Sequence, residues 1–185
     1  MRPFLLSSAA CLLLGACSSV VMSTAAMLGM TNLFDVDPAG YEVAVTIPEG
    51  VDVSTDGATF GLTNKNTIHN VDIAKTYALQ RCDTQDGQTL FRINPKDLAE
   101  VREFQAQVKA WELEDANANS GSFTVEVNFC VLGDGPVPED VFSVAIRTDP
   151  DGRFMPLIRN ASVSDAIKAI EEDGLDMDTF SGCAQ

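Results

Sequence analysis

Alternation with a period of two dominates the chain from residue 41 onward. Phe123, Val125, Val127, Phe129 and Val131 form the cleanest stripe, with Thr124, Glu126, Asn128 and Cys130 between them. Tyr41, Val43, Val45 and Ile47 alternate in the same way with Glu42, Ala44 and Thr46. Successive side chains of a strand point to opposite faces, so each stripe offers one face to a core and the other to water or a second layer. Further strands are predicted over 51–62, 75–82, 89–93, 142–146 and 154–158. Asp-Gly steps stand at 56–57, 86–87, 134–135 and 151–152. Asp-Gly tolerates the positive φ angles of tight turns, and such steps between apolar runs argue for antiparallel hairpins.

Two segments break the period. Asn94 suits a helix N-cap, Pro95 the first helical position and Asp97 the first turn. Leu98, Val101, Phe104, Val108 and Trp111 then recur at helical spacing. The pattern fades near Glu114, before a polar stretch over 115–122. A second helix starts at Ser162, with Asp165 in the capping-box position, an apolar stripe of Val163, Ala166, Ile167 and Ile170, and a stop at Gly174. The predicted fold is mainly β, of α+β type: an antiparallel β-sandwich-like domain with one inserted helix and one C-terminal helix. Immunoglobulin-like sandwiches have similar strand spacing, but the Cys–Trp–Cys pattern of antibody domains is missing, since Trp111 falls on a predicted helix.

The first residues read differently. Arg2 supplies a positive start, Phe4 to Leu14 is apolar apart from Ser7 and Ser8, and Leu14-Gly15-Ala16-Cys17 follows. A basic start, a short apolar run and small residues before a cut site make a secretory signal. The Leu-Gly-Ala-Cys ending resembles the lipobox of bacterial lipoproteins. That resemblance implies diacylglyceryl transfer to the Cys17 thiol, cleavage just before Cys17 and acylation of the new amino terminus. Cys11 is the weaker acceptor, because Ser8-Ala9-Ala10 precedes it without a bulky apolar residue in the third place. Each buried lipid methylene contributes about 0.8 kcal/mol, so two or more chains hold firmly where one does not. The competing reading is an uncleaved apolar anchor, which Ser18, Ser19, Ser23 and Thr24 interrupt. Ser18 after the lipidated Cys implies, by the rule of that class, an outer-membrane location facing the periplasm.

The expected organisation is a signal peptide over 1–16, a lipidated tether over 17–40 and one β-rich globular domain over 41–185. Cleavage removes Arg2 and no acid, taking the formal charge from −15 to −16. So acidic a chain lacks the clustered cations that nucleic acid or anionic lipid surfaces require. The expected partners are the membrane, through lipid on Cys17, and an envelope protein, with no nucleic acid. Cys82, Cys130 and Cys183 remain in the domain, where an oxidising envelope permits one disulfide. Cys82–Cys130 is the favoured pair, because both fall on predicted strands; Cys183 could instead staple the tail.

Little catalytic chemistry is legible. His69 is the only histidine, in the polar stretch Asn66-Thr67-Ile68-His69-Asn70, and no Gly-x-Ser-x-Gly elbow exists to supply it with a nucleophile. Asp173, Asp176 and Asp178 lack the Gly and closing Glu of a calcium loop. Glu112, Glu114 and Asp115 read as an exposed helix end, and Asn160-Ala161-Ser162 as a capping site rather than a glycosylation sequon. One His and no CxxC argue against a zinc site. No metal, cofactor or catalytic residue is expected. The leading expectation is a non-enzymatic binding or assembly module. The alternatives are a carrier of small apolar ligands, which needs a cavity between sheet and helix, and a carboxylate-based hydrolase, which needs two acids in one cleft.

Overall fold

The computed structural model describes residues 33–85, 87–172 and 183. Its strands are β1 (Glu42–Thr46), β2 (Val51–Asn66), β3 (Val71–Gln85), β4 (Gln88–Ile93), β5 (Asn119–Val131), β6 (Val141–Arg147) and β7 (Met155–Ser162). They form an antiparallel sheet in the order β5-β2-β3-β4-β1-β6-β7. Helix α1 (Leu98–Asp115) is inserted between β4 and β5, and α2 (Val163–Glu172) follows β7. This is the mainly antiparallel fold with an inserted and a C-terminal helix that the alternation predicts.

The two layers come from a sheet that curls. Long strand β3 passes between them: Val71 to Ala78 pair with β2, whereas Leu79 to Gln85 pair with β4. Curling brings the Phe129 ring, on edge strand β5, to 5.2 Å from the Phe142 ring on β6. Inside the curl lie Val43, Val45, Phe60, Leu62, Phe91, Ile93 and Ile146, with Val101, Phe104 and Val108 of α1 packed on them. Those three helix residues fall on one stripe, so α1 closes the core with a single face. Each such buried side chain stabilises the fold by roughly 1.5–3 kcal/mol relative to exposure.

Residues 33–40, which the sequence assigns to the tether, are fastened to α1. The Phe34 and Phe104 rings stack at 6.1 Å. Lys109 Nζ meets Asp35 Oδ1 at 2.5 Å and Arg102 Nη2 meets Asp37 Oδ1 at 2.9 Å. Gln105, buried in the helix face, donates from Nε2 to the Val36 carbonyl at 3.0 Å and to the Tyr41 hydroxyl at 3.1 Å. Burial pushes the Tyr41 phenol well above its ordinary pKa, against the opposing effect of the Gln105 bond.

Some local expectations are corrected. Asp56-Gly57 is not a hairpin turn: β2 runs through it, with a register shift between Val53 and Ala58. Asp56 takes φ 56°, the left-handed conformation, and the step becomes a bulge. A Cβ on Gly57 would lie 2.7 Å from the Asn128 carbonyl oxygen, so the bulge requires glycine. Asn94 does not cap α1 directly. Its side chain accepts from Lys96 N–H at 3.2 Å and its carbonyl from Asp97 N–H at 2.8 Å, so a turn intervenes before the helix starts at Leu98. The polar residues 119–122 are strand, because β2 pairs them: Asn66 faces Asn119, and the Thr63 and Ser122 hydroxyls meet at 2.7 Å. Ser162 does cap α2, accepting from Asp165 N–H at 3.2 Å. Gly174 and the acidic residues Asp173, Asp176 and Asp178 lie outside the described residues.

Candidate functional site

The bulge in β2 opens a groove of about 460 Å³ at the foot of the sheet. Asp52 and Asp56 of β2, Gln80 and Arg81 of β3, and Asn94 and Lys96 before α1 give it a polar rim, and the Cys130–Cys183 disulfide forms part of one wall. Arg81 is held in a fork: Nη2 and Nη1 reach the two Asp52 oxygens at 2.6 and 3.2 Å, and Nη2 also donates to the Val53 carbonyl at 3.0 Å. Its guanidinium lies 5.6 Å from the Phe91 ring centroid. Partial burial alone would raise the Asp52 pKa. The Arg81 hydrogen bonds and the Val53 N–H outweigh it and hold the carboxyl below its ordinary range. A fixed guanidinium beside hydroxyls, carboxamides and Lys96 suits polar recognition, with Arg81 already neutralised by Asp52.

The bridge joins Cys130 to Cys183, with Cα atoms 5.0 Å apart. This corrects the Cys82–Cys130 pairing favoured from strand placement. Cys82 instead donates its thiol hydrogen to the Gln80 carbonyl at 3.6 Å. Alternation puts Cys130 on the face of β5 opposite the core stripe, where Cys183 meets it and leaves it buried. Cys17 lies outside the described residues.

His69 stands at the far end of β2, in the turn to β3. Its Nε2 is 2.6 Å from Glu114 Oε2, and its ring stacks on Trp111 at 5.8 Å. Its backbone N–H donates to the Asn66 side chain at 2.8 Å, and Asn66 Nδ2 donates to Asn119 Oδ1 at 3.0 Å. These contacts lock the β2–β3 turn onto the end of α1. Glu114, read as solvated, is the imidazole's partner. Neither His69 nor Glu114 reaches the groove.

Sequence reasoning missed Glu42. It alternates with the apolar stripe of β1, on the face left to water or a second layer, and is 2% exposed. Arg92 on β4 and Arg147 on β6 stand at its own register level on either side. Arg92 Nε donates to Oε1 at 2.7 Å, and Arg147 Nη2 makes a close ion contact with Oε2. Arg147 also lies 4.7 Å over the Phe154 ring. The triad is a cross-strand clamp, visible only once strand order and register are known.

Among the described residues, no group of three His, Cys, Asp or Glu side chains converges on a cation position, and no helix is long and apolar enough to cross a membrane. Comparison with protein-family models, with curated proteins and with solved structures returns no match. The class stands on its own geometry: a curled, seven-stranded antiparallel domain, helix-capped inside and disulfide-tied at its foot.

Proposed function

We propose that the protein is a lipid-anchored envelope lipoprotein whose β-rich domain serves as a non-enzymatic binding or assembly module. The observation that carries this reading is the clamp on residues 33–40. Phe34, Asp35 and Asp37 are pinned to Phe104, Lys109 and Arg102 of α1, so the chain leaves the domain at a fixed point. Between Cys17 and that point the stretched chain spans at most about 55 Å. A lipid on Cys17 would thus hold the domain within a short radius of an outer-membrane surface, in the periplasm, with its exit point set.

The disposition of reactive side chains also favours this reading. His69, Arg81 and Glu42 are each engaged in contacts that join separate strands or a strand and a helix. The groove's polar rim fits an apolar cargo poorly, which weighs against a small apolar ligand carrier. The test is the intact mass of the protein from its native membrane, beside a Cys17→Ala variant. A chain starting at residue 17 with diacylglyceryl and acyl mass is the expected result, with the variant released from the membrane fraction. An unmodified wild-type chain, or one retaining residues 1–16, overturns it.

A further inference from the structure

The two edges of the sheet differ in how well they are closed to pairing. Edge strand β7 carries Pro156, which has no N–H, the exposed Arg159, Asn160 at φ 48° and register shifts against β6, and it runs directly into α2. Those are the devices by which proteins blunt a strand edge. Edge strand β5 has fewer of them: it has no positive φ and keeps register with β2 from Asn119 to Val127, shifting only opposite the β2 bulge between Val127 and Phe129, and it carries one exposed charge, Glu126. It is long and continuous, pairs with β2 through an almost uninterrupted register, and contains no proline and no cation. Among the described residues, the one backbone bond to its outer side is at the very end, where Cys183 N–H donates to the Val131 carbonyl at 3.2 Å. Phe123, Val125, Val127 and Phe129 are only partly buried along this edge. One more strand would complete their cover.

We propose that Ser120–Phe129 is a docking edge that takes an extended segment of a partner protein as an eighth strand. This rests on the binding-module reading above and names its site. Side-chain rows define the partner's chemistry. On the core side, the row Phe123, Val125, Val127 and Phe129 calls for apolar residues at alternate positions. On the other side, Ser120, Ser122, Thr124, Glu126 and Asn128 are exposed, and Glu126 is the sole charge of the strand. The intervening positions of the partner therefore carry Lys or Arg, opposite Glu126 and attracted by a chain of formal charge −15. A second copy fits worse: antiparallel pairing of β5 with itself sets two Glu126 carboxylates in one row and brings two strongly acidic domains together.

The experiment uses the full Cys17→Ala chain, isotopically labelled, titrated with a ten-residue peptide of alternating Val and Lys. A second peptide of the same side chains is N-methylated throughout, which keeps the charge and removes the backbone donors. The expected result is amide shifts concentrated on residues 120–129, at least ten-fold weaker binding of the methylated peptide, and at least three-fold weaker binding to Glu126→Lys. Equal binding of both peptides, shifts spread over the acidic surface, or no binding overturns the proposal. Outward amides of β5 already protected from exchange in the free chain also overturn it, since the tether or a second copy then fills the edge. The lipid mass on Cys17 is read separately, so loss of the docking edge and loss of the lipoprotein reading cannot be confused.

Discussion

The long β2–β5 ladder is secured by different means at its two ends. At its foot, Val51 to Val53 pair with Phe129 to Val131, and a covalent bridge from Cys130, the Arg81 fork and the Leu132 N–H to Gly50 carbonyl bond converge there. At its head, Asn64 to Asn66 pair with Asn119 to Gly121, and non-covalent contacts hold the turn: the Asn66 amide bonds, the Thr67 N–H to Ala118 carbonyl bond, the His69–Trp111 stack and the exposed Lys65–Asp72 and His69–Glu114 pairs. The foot is the end where β2 bulges and the ladder loses register. The head is continuous and needs less. Extra ties are concentrated where the strand pairing itself is interrupted.

The largest effect expected from breaking this asymmetry is at the disulfide. Its partners are 53 residues apart in sequence. Closing a loop of that size stabilises a fold by about 4 kcal/mol in the chain-entropy account. Reduction, or Cys183→Ser, should lower unfolding stability by that order in urea titrations followed by ellipticity. A loss below about 1 kcal/mol would show that the foot is held by Arg81 and the ladder alone.

The head offers a sharper test, because two asparagines two residues apart should respond with opposite signs. Asn66 is buried and bonded on both sides, so Asn66→Ala strands the His69 N–H and the Asn119 amide and should cost about 1–3 kcal/mol. Asn64 is equally buried, but neither its Nδ2 nor its Oδ1 has a hydrogen-bond partner among the described residues. Replacing it by an apolar side chain of similar volume removes an uncompensated polar burial. Asn64→Leu should leave stability unchanged or raise it, by up to about 1 kcal/mol. A loss like that of Asn66→Ala would mean that the Asn64 amide is satisfied in solution.

Back at the foot, Arg81→Ala should cost up to about 1 kcal/mol, since the pair is partly exposed and screened. Its signature is pH dependence. The Asp52 carboxyl is held below its ordinary pKa, so its share of stability is fully present above that value and is lost as pH falls through the lowered one. Comparing wild type with Arg81→Ala in urea from neutral pH down to the acid side of the carboxylate range should show the gap between them closing. A gap constant with pH would assign the Arg81 contribution to its packing on Phe91.

What was legible in the sequence follows the same division. Alternation located the strands and one-faced spacing located both helices, since those patterns depend on neighbours within a segment. The foot was misread because its features depend on strand pairing. Asp56-Gly57 carries the chemistry of a hairpin turn, and only the β5 carbonyl of Asn128 crowding Gly57 makes it a bulge. Cys130 was assigned to Cys82 because both lie on strands, yet β5 and β3 are separated by β2 in the sheet. The burial of Glu42 could not be read because nothing local reveals that two arginines flank it on adjoining strands. The β5 edge was invisible for the same reason: the stripe from 123 to 131 is plain in the sequence, but not that it ends the sheet among the described residues.

The smallest effect should come from the exposed latch at the head. His69 and Glu114 side chains are 38% and 51% exposed, so their contact contributes under about 1 kcal/mol. Global unfolding therefore gives a weak reading of Glu114→Gln. Trp111, the single tryptophan, gives a local one, because its ring stacks on His69 one helical turn before Glu114. In Glu114→Gln the indole emission should change in native buffer, while the ellipticity-detected urea midpoint stays within about 1 kcal/mol of wild type. Fluorescence and ellipticity should then part company at the head while remaining coincident in the Arg81→Ala variant, whose change lies at the foot. Unchanged Trp111 emission in Glu114→Gln would mean that the imidazole keeps its place through the stack and the Asn66 bond alone, leaving the carboxylate as a solvated neighbour. A shift in both probes together would mean that the turn and the ladder unfold as one unit, and that the two ends are coupled along β2 rather than independently secured.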